Sequence, residues 1–143
     1  MSAEAVPPGL LGYVDLPAVT GSVPRARRYV REVLKQAGQT DPYDAELLVG
    51  ELVANAVKHS ESGRRPGGRL TVVIAGCGDG FRIEVIDDGS ASSTPQVPAE
   101  LDENSEGGRG LWLVREMSAS WGWHEHVAGR VVWFRLAAAA STG

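Results

Sequence analysis

The spacing of apolar residues predicts a short strand and then a helix in the first part of the chain. Residues 10–16 are typical of a strand that ends at Pro17, and residues 1–9, which contain prolines and a glycine, are expected to form a flexible leader. Apolar residues then recur every three or four positions as far as Gly38. This pattern predicts a helix with Ser22 as its N-cap.

A second helix is predicted to begin near Asp41 and to run to about Ser60. Asp41 precedes Pro42, a combination typical of a helix start, and Gly63 follows the end of the apolar stripe. The stripe contains Leu47, Leu48, Leu52, Val53, Ala56 and Val57. One face of this helix should therefore be buried.

The period changes to that of strands after the second helix. Residues 70–75 and 81–87 predict two antiparallel neighbours joined by the glycine-rich turn 76–80. Residues 90–106 are rich in polar residues and predict a long loop. A third helix is predicted at residues 107–118.

Two further strands are predicted at residues 121–126 and 130–136, on either side of a short turn. Helices that segregate from antiparallel strands indicate an α+β fold, a two-layer sandwich. The expected domain spans residues 10–137, and residues 138–143 are expected to form a flexible tail.

Composition and charge exclude several classes of function. The 143 residues include 14 lysines and arginines and 18 acidic residues, a net charge of −4, and the long basic stripe of a nucleic acid-binding protein is missing. The single cysteine, Cys77, excludes an internal disulfide and a cysteine-based zinc cage. No stretch is apolar enough to cross a membrane, and the start lacks the pattern of a signal peptide. A cytoplasmic protein without direct nucleic acid or membrane binding is expected.

Three polar residues follow one edge of the second predicted helix. Glu51, Asn55 and His59 are spaced by four positions, which at about 100° per residue places them in one arc beside the apolar stripe. A carboxylate can act as a base, an amide oxygen can bind magnesium, and an imidazole can hydrogen-bond a phosphate. An ordinary solvated helix face has the same spacing, so the spacing alone leaves both interpretations open.

A carboxylate ends the apolar side of the strand at residues 81–87. Alternation places Asp87 on the same side as Ile83 and Val85. Because an unpartnered inward carboxylate is costly, Asp87 either caps backbone donors or accepts a hydrogen bond from a ligand, such as an exocyclic amine. The turn signal Asp88-Gly89 is compatible with the first alternative, and the inward direction favours the second.

Glycines open the third predicted helix, in the run Gly107-Gly108-Arg109-Gly110. A glycine inside a helix costs up to about 1 kcal/mol relative to alanine. At a helix start, however, glycine lets backbone N–H groups approach an anion, and the helix dipole adds positive charge. The run is not a Walker A loop, which needs Lys-Ser or Lys-Thr after the second glycine. A phosphate site and a simple hinge both stay open.

His124-Glu125-His126 could suggest a metal site, because a strand would place both histidines on one face. The sequence places no third ligand beside them, and the spacing differs from that of a helical zinc site. We therefore expect a solvated strand end.

Together these features resemble the ATPase superfamily of gyrase, the heat-shock chaperone, histidine kinases and mismatch-repair proteins. Glu51-Leu-Val-Ala-Asn55-Ala-Val-Lys-His59 is similar to its helix box, Asp87-Asp-Gly89 to its adenine box, and Gly108-Arg-Gly110-Leu111 to its phosphate box. Residues 16–136 look like the stand-alone anti-sigma-factor serine-protein kinases of the actinobacterial type. This resemblance implies a mixed, mostly antiparallel sheet covered on one face by about three helices.

The resemblance also implies a role for the residues of the helix box. Glu51 would be the general base that activates a hydroxyl or water. Asn55 would bind Mg²⁺, and Lys58 or His59 would lie beside a phosphate of ATP.

For the other two boxes the resemblance implies nucleotide contacts. Asp87 would accept the adenine amine, and Gly89 would allow the backbone to approach the ring. The phosphates would lie under the loop 90–106, held by Gly108, Arg109, Gly110 and Leu111. The family often has a second glycine where this chain has Ala91, which weakens the expectation of a hinge in that loop.

The function implied by the resemblance is an ATP-dependent serine/threonine-protein kinase and anti-sigma factor. Its expected partner is an anti-anti-sigma protein, a sigma factor, or both, and a homodimer is expected, with the strand at residues 10–16 as an exposed edge. A two-component histidine kinase is disfavoured because no dimerisation hairpin with a phosphoacceptor histidine precedes the helix box. Two alternatives stay open: a nucleotide-gated binding module without phosphoryl transfer, and an interaction domain that has lost nucleotide binding.

Overall fold

The structure, a computed structural model, describes residues 9–39, 41–60, 63, 65–88, 109–126 and 129–137. Its elements, in chain order, are β1 (Leu10–Pro17), α1 (Ser22–Gln36), α2 (Tyr43–His59), β2 (Arg69–Cys77), β3 (Gly80–Asp87), α3 (Arg109–Met117), β4 (Ser120–His126) and β5 (Gly129–Ala137). The predictions made for residues 1–8, 89–108 and 138–143 fall outside the described residues and stay predictions.

The five strands form one sheet in the order β1-β2-β3-β5-β4. The two predicted hairpins, β2–β3 and β4–β5, are confirmed as antiparallel pairs. The sheet was expected to be mixed and mostly antiparallel, and the four pairings found among the described residues are all antiparallel. The reason is that β5 lies between β3 and β4, which run in the same direction, and so no parallel pair forms.

One face of the sheet packs against the helices and forms the core. Alternation along β3 buries Ile83 and Val85, and the neighbouring strands add Ile74 and Phe134 at the same level. Helix α2 covers the centre of the sheet with a nearly continuous buried face: Ala45, Leu48, Val49, Leu52, Val53 and Ala56. The predicted α+β, two-layer sandwich is therefore confirmed.

Both helix starts differ in detail from the prediction. Ser22 is the first residue of α1 rather than its cap, and its buried hydroxyl donates to the Pro17 carbonyl at 2.5 Å. The hydroxyl is drawn to that carbonyl because the chain turns sharply between β1 and α1. Helix α2 begins at Tyr43, and Asp41 still assists its start, because its Oδ1 accepts from the Tyr43 backbone N–H at 3.2 Å.

Helix α1 is tied to the edge strand β1 by a tyrosine. The Tyr29 hydroxyl donates to the Tyr13 carbonyl at 2.9 Å, and it lies where a side chain on Gly12 would otherwise stand. Burial raises the pKa of Tyr29 above its ordinary value of 10.0. The neutral phenol is therefore the form that the folded state favours.

Replacing Tyr29 with phenylalanine should lower the free energy of unfolding at neutral pH by about 1 kcal/mol, because one hydrogen bond is lost. Because the pKa of Tyr29 is raised in the folded state, the neutral phenol contributes its full stabilisation below pH 10. This contribution is lost as the pH rises through the pKa of Tyr29 in the folded protein. Urea unfolding from pH 8 to 11 should therefore show the wild type converging on Tyr29→Phe. The control is Tyr43→Phe, because Tyr43 is 65% exposed. A gap between wild type and variant that stays constant up to pH 11 would contradict this account.

Candidate functional site

The polar edge of α2 lies beside the buried face of the helix. Glu51, Asn55 and His59 are each half-buried, whereas the intervening Ala54 and Lys58 are exposed. Lys58 and His59 both take part in interactions with neighbouring groups. The helix packs by its apolar side, and this packing fixes a carboxylate and an amide along the border between core and solvent.

Helix α3 lies directly against this edge. A Cβ atom added to Gly110 would stand 2.9 Å from Glu51 Oε2 and 3.2 Å from Glu51 Cβ. The structure therefore brings together Glu51 of the helix box and Gly110 of the phosphate box, which the sequence had suggested separately. Leu111, the next residue, is buried in the core and anchors α3 in this position.

A second close approach fixes the residue before Glu51. A Cβ atom on Gly50 would overlap the guanidinium of Arg27 from α1, whose Nε is buried without a hydrogen-bond partner. One turn further along α1, Arg31 forms an ion pair with Glu46 at 3.1 Å. Helix α1 thus packs against α2 at Gly50, the residue before Glu51.

Asp87 ends β3 on the helix-facing side, as the alternation predicted, and is only 6% exposed. Directly opposite it on β5 is Arg130, 7% exposed, and opposite Arg130 on β4 is Glu125. The Arg130 guanidinium contacts Glu125 Oε1 at 3.2 Å and stacks on the Trp123 ring at 5.2 Å from its centre. This end of the sheet therefore carries a row of alternating charge: carboxylate, guanidinium, carboxylate.

Arg130 was missed by the sequence reasoning. An arginine after the Ala128-Gly129 turn signal looks like an ordinary polar strand start, and only the register of β3 against β5 places it opposite Asp87. The preceding Gly129 has a φ of +142°, and a Cβ there would collide with the Asp87 carbonyl oxygen. The backbone of β5 can approach the end of β3 this closely because position 129 is glycine.

The turn after α2 is joined to the end of β3 by an ion pair between Arg65 and Asp88. At the end of α2, the Ser60 hydroxyl belongs to a residue only 3% exposed and has no hydrogen-bond partner. Nothing in the sequence indicated that Ser60 or Arg65 belongs to a site, since serine and arginine are common in turns. The ion pair places the turn that follows α2 beside Asp88 of the adenine box.

Several of the predicted site residues lie in parts of the chain that the structure does not describe. Gly89, Ala91 and Gly108 lie outside the described residues, and so does the side chain of Arg109, the first residue of α3. His124 is exposed on β4. No group of three or more His, Cys, Asp or Glu side chains among the described residues is arranged to hold a metal ion. None of the described helices is both long and apolar enough to span a bilayer.

Comparison with known proteins identifies the family. The model of the histidine kinase-like ATPase domain matches residues 16–136. The chain belongs to the histidine kinase-like ATPase domain family. This confirms the resemblance drawn from the three boxes, over the span on which it was drawn.

Two curated relatives agree with this assignment. Both are the serine-protein kinase RsbW of Staphylococcus aureus, from strain bovine RF122 / ET3-1 and strain MRSA252. Each is 30% identical over 113 residues, which cover 71% of this chain and 71% of the relative. Within the ATPase family, the chain is thus similar to serine-protein kinases over 71% of its length.

The donor groups at this site fit a nucleotide with a magnesium ion. The amide oxygen of Asn55 is a donor of the oxygen class that Mg²⁺ accepts, and substrate phosphates and water would supply the remaining positions of the ion. The buried carboxylate of Asp87 suits an amine donor. The Ser60 hydroxyl, at the C-terminal end of α2, is a further polar group without a hydrogen-bond partner.

Gly129→Ala should destabilise the protein by about 3 kcal/mol, because it combines an unfavourable φ with a collision against the Asp87 carbonyl. Gly78→Ala is the matched control: Gly78 has a φ of +61°, but a Cβ there would meet open space. We expect the control to cost about 1 kcal/mol in urea unfolding. Equal effects of the two substitutions would show that β5 does not approach Asp87 closely.

Proposed function

We propose that this protein is an ATP-binding anti-sigma-factor-like serine/threonine-protein kinase. In this proposal it transfers the γ-phosphoryl group of ATP to an anti-anti-sigma protein and regulates transcription by partner switching with a sigma factor. The observation that carries the proposal is the contact of Glu51 with Gly110, because it joins a candidate base to the helix that would bind the phosphates. The kinase relatives support the same activity.

Glu51 would act as the general base. It accepts the proton of the attacking serine or threonine hydroxyl while that oxygen bonds to the γ-phosphorus, and the bridging oxygen of ADP leaves with the electron pair. Glu51 is suited to this task because it is half-buried on a helix that packs against the core and lies beside Gly110 of α3.

Asn55 would hold the magnesium ion, one helical turn from Glu51. When bound, that ion neutralises charge on the transferred phosphoryl group. Lys58 and His59 would lie beside the phosphates, together with Gly108, Arg109, Gly110 and the backbone of Leu111. The N-terminal end of α3 favours this binding because free N–H groups and the helix dipole both attract an anion.

Asp87 would recognise the adenine amine, and Gly89 would let the backbone approach the ring. The burial of Asp87 supports this role, because a carboxylate shielded from water discriminates strongly between a ligand that donates to it and one that does not. The protein would act in the cytoplasm as a homodimer, and β1, the first strand in the order of the described sheet, would be the edge at which two copies pair.

A kinase assay with Mg-ATP labelled at the γ-phosphate, and an anti-anti-sigma protein from the same genome, tests the proposal. Wild type should label the partner, and Glu51→Gln should reduce labelling by about 100-fold or more with ATP affinity nearly unchanged. The matched control is Asp44→Asn, which removes an exposed carboxylate at the start of the same helix. This variant should label the partner as well as wild type does. Equal labelling by wild type and Glu51→Gln would reject Glu51 as the base.

A nucleotide-gated binding regulator without kinase activity is the second candidate, favoured by the modest identity to the kinase relatives. It predicts that Asp87→Asn abolishes both ATP binding and partner capture, whereas Glu51→Gln changes neither. Calorimetry with Mg-ATP, followed by a pull-down with the anti-anti-sigma protein, separates the two. Labelled partner in the kinase assay excludes this alternative.

A further inference from the structure

The space beside Gly110 is filled by the side chain of Glu51. A Cβ atom on Gly110 would be 2.9 Å from Glu51 Oε2, 3.2 Å from Glu51 Cβ and 3.6 Å from the Glu51 carbonyl oxygen. The distance to Glu51 Oε2 is shorter than a relaxed carbon–oxygen contact, and the distance to Glu51 Cβ is shorter than most carbon–carbon contacts. The carboxylate therefore occupies the place that any side chain at position 110 would take.

Neither helix is free to move away from such a side chain. Leu111 and Val114 anchor α3, and Leu52 and Val53 anchor α2, and all of them are buried in the core. The end of the Glu51 side chain, in contrast, can rotate. A methyl group at position 110 would consequently be accommodated by displacement of the carboxylate rather than by separation of the helices.

We propose that Gly110 is a positioning residue for Glu51. Its missing side chain defines the place where the carboxylate of the candidate base lies, in addition to any contact that the backbone of α3 makes with phosphates. This inference rests on the proposed function for its catalytic consequence. The contact itself is a property of the protein without nucleotide.

The two roles of Gly110 predict different results for Gly110→Ala. If Gly110 positions Glu51, the rate of ADP formation from Mg-ATP in the presence of the anti-anti-sigma protein should fall about 100-fold, as expected for a misplaced catalytic group, while ATP affinity stays within about threefold of wild type. If Gly110 serves only to admit phosphates, ATP affinity should fall and kcat should change little. Calorimetry and a steady-state assay distinguish the two.

The matched control is the same substitution in a Glu51→Ala background. Without the carboxylate, the new methyl group has little left to displace, so Gly110→Ala should cause no further loss of kcat. Glu51→Asp, which is shorter by one methylene group, should restore part of the activity of Gly110→Ala. Multiplied losses in the double variant would overturn the proposal.

Folding is measured on the same proteins. Gly110 is the second residue of α3, and the 3.2 Å approach of its added Cβ to Glu51 Cβ must relax slightly, so Gly110→Ala should unfold within about 5 °C of wild type. If Gly110→Ala fails to fold but Gly110→Ala/Glu51→Ala folds, the collision with Glu51 is still demonstrated. If neither folds, Gly110 is required by other contacts and the proposal is wrong.

A measurement without ATP separates this inference from the proposed function. Carbon NMR of the Glu51 carboxyl at neutral pH, recorded without nucleotide, should give a different chemical shift in Gly110→Ala than in wild type, since the carboxylate has moved. If wild type labels no partner protein but the chemical shifts differ, the kinase proposal fails and the positioning role stands. Identical chemical shifts would overturn the positioning role, whatever the activity.

Discussion

The packing of α2 on the sheet is the contact on which the arrangement of the site depends. One face of the helix is buried against the strands, so its rotation about its own axis is fixed. Fixing that rotation places Glu51 and Asn55 at the border of the core, where they are neither buried nor fully solvated. Helix α3 can then approach Glu51 as closely as Gly110 allows, and Arg27 of α1 packs against the preceding residue, Gly50.

The other end of the site depends on charge rather than on apolar packing. Asp87 and Arg130 are both buried, and each also interacts with neighbouring groups. A buried charge is destabilising unless an opposite charge or hydrogen bonds compensate it. Removing one partner therefore leaves the other as an uncompensated buried charge. The antiparallel register makes the arrangement possible by setting Asp87, Arg130 and Glu125 side by side on successive strands.

The fold and the family were predictable because their signals are local. Period-two alternation identified β3 and the direction of Asp87, and the spacing of four identified the polar edge of α2. The contacts between elements were not predictable in this way. Asp87 lies opposite Arg130 because of the β3–β5 register. The contact of Gly110 with Glu51 depends on how closely α3 packs against α2. The order of β4 and β5 in the sheet was likewise invisible in a pattern of apolar residues.

The central claim is that Asp87, Glu51 and Gly110 belong to one nucleotide pocket, although they come from three different elements. Backbone NMR during titration with magnesium and a non-hydrolysable ATP analogue tests it most directly. The account predicts that the amide signals of Asp87, Glu51 and Gly110 shift together, with one binding constant, while that of Tyr13 in the distant edge strand stays in place. Shifts confined to one of these elements, or distinct binding constants for Asp87 and Gly110, would contradict it.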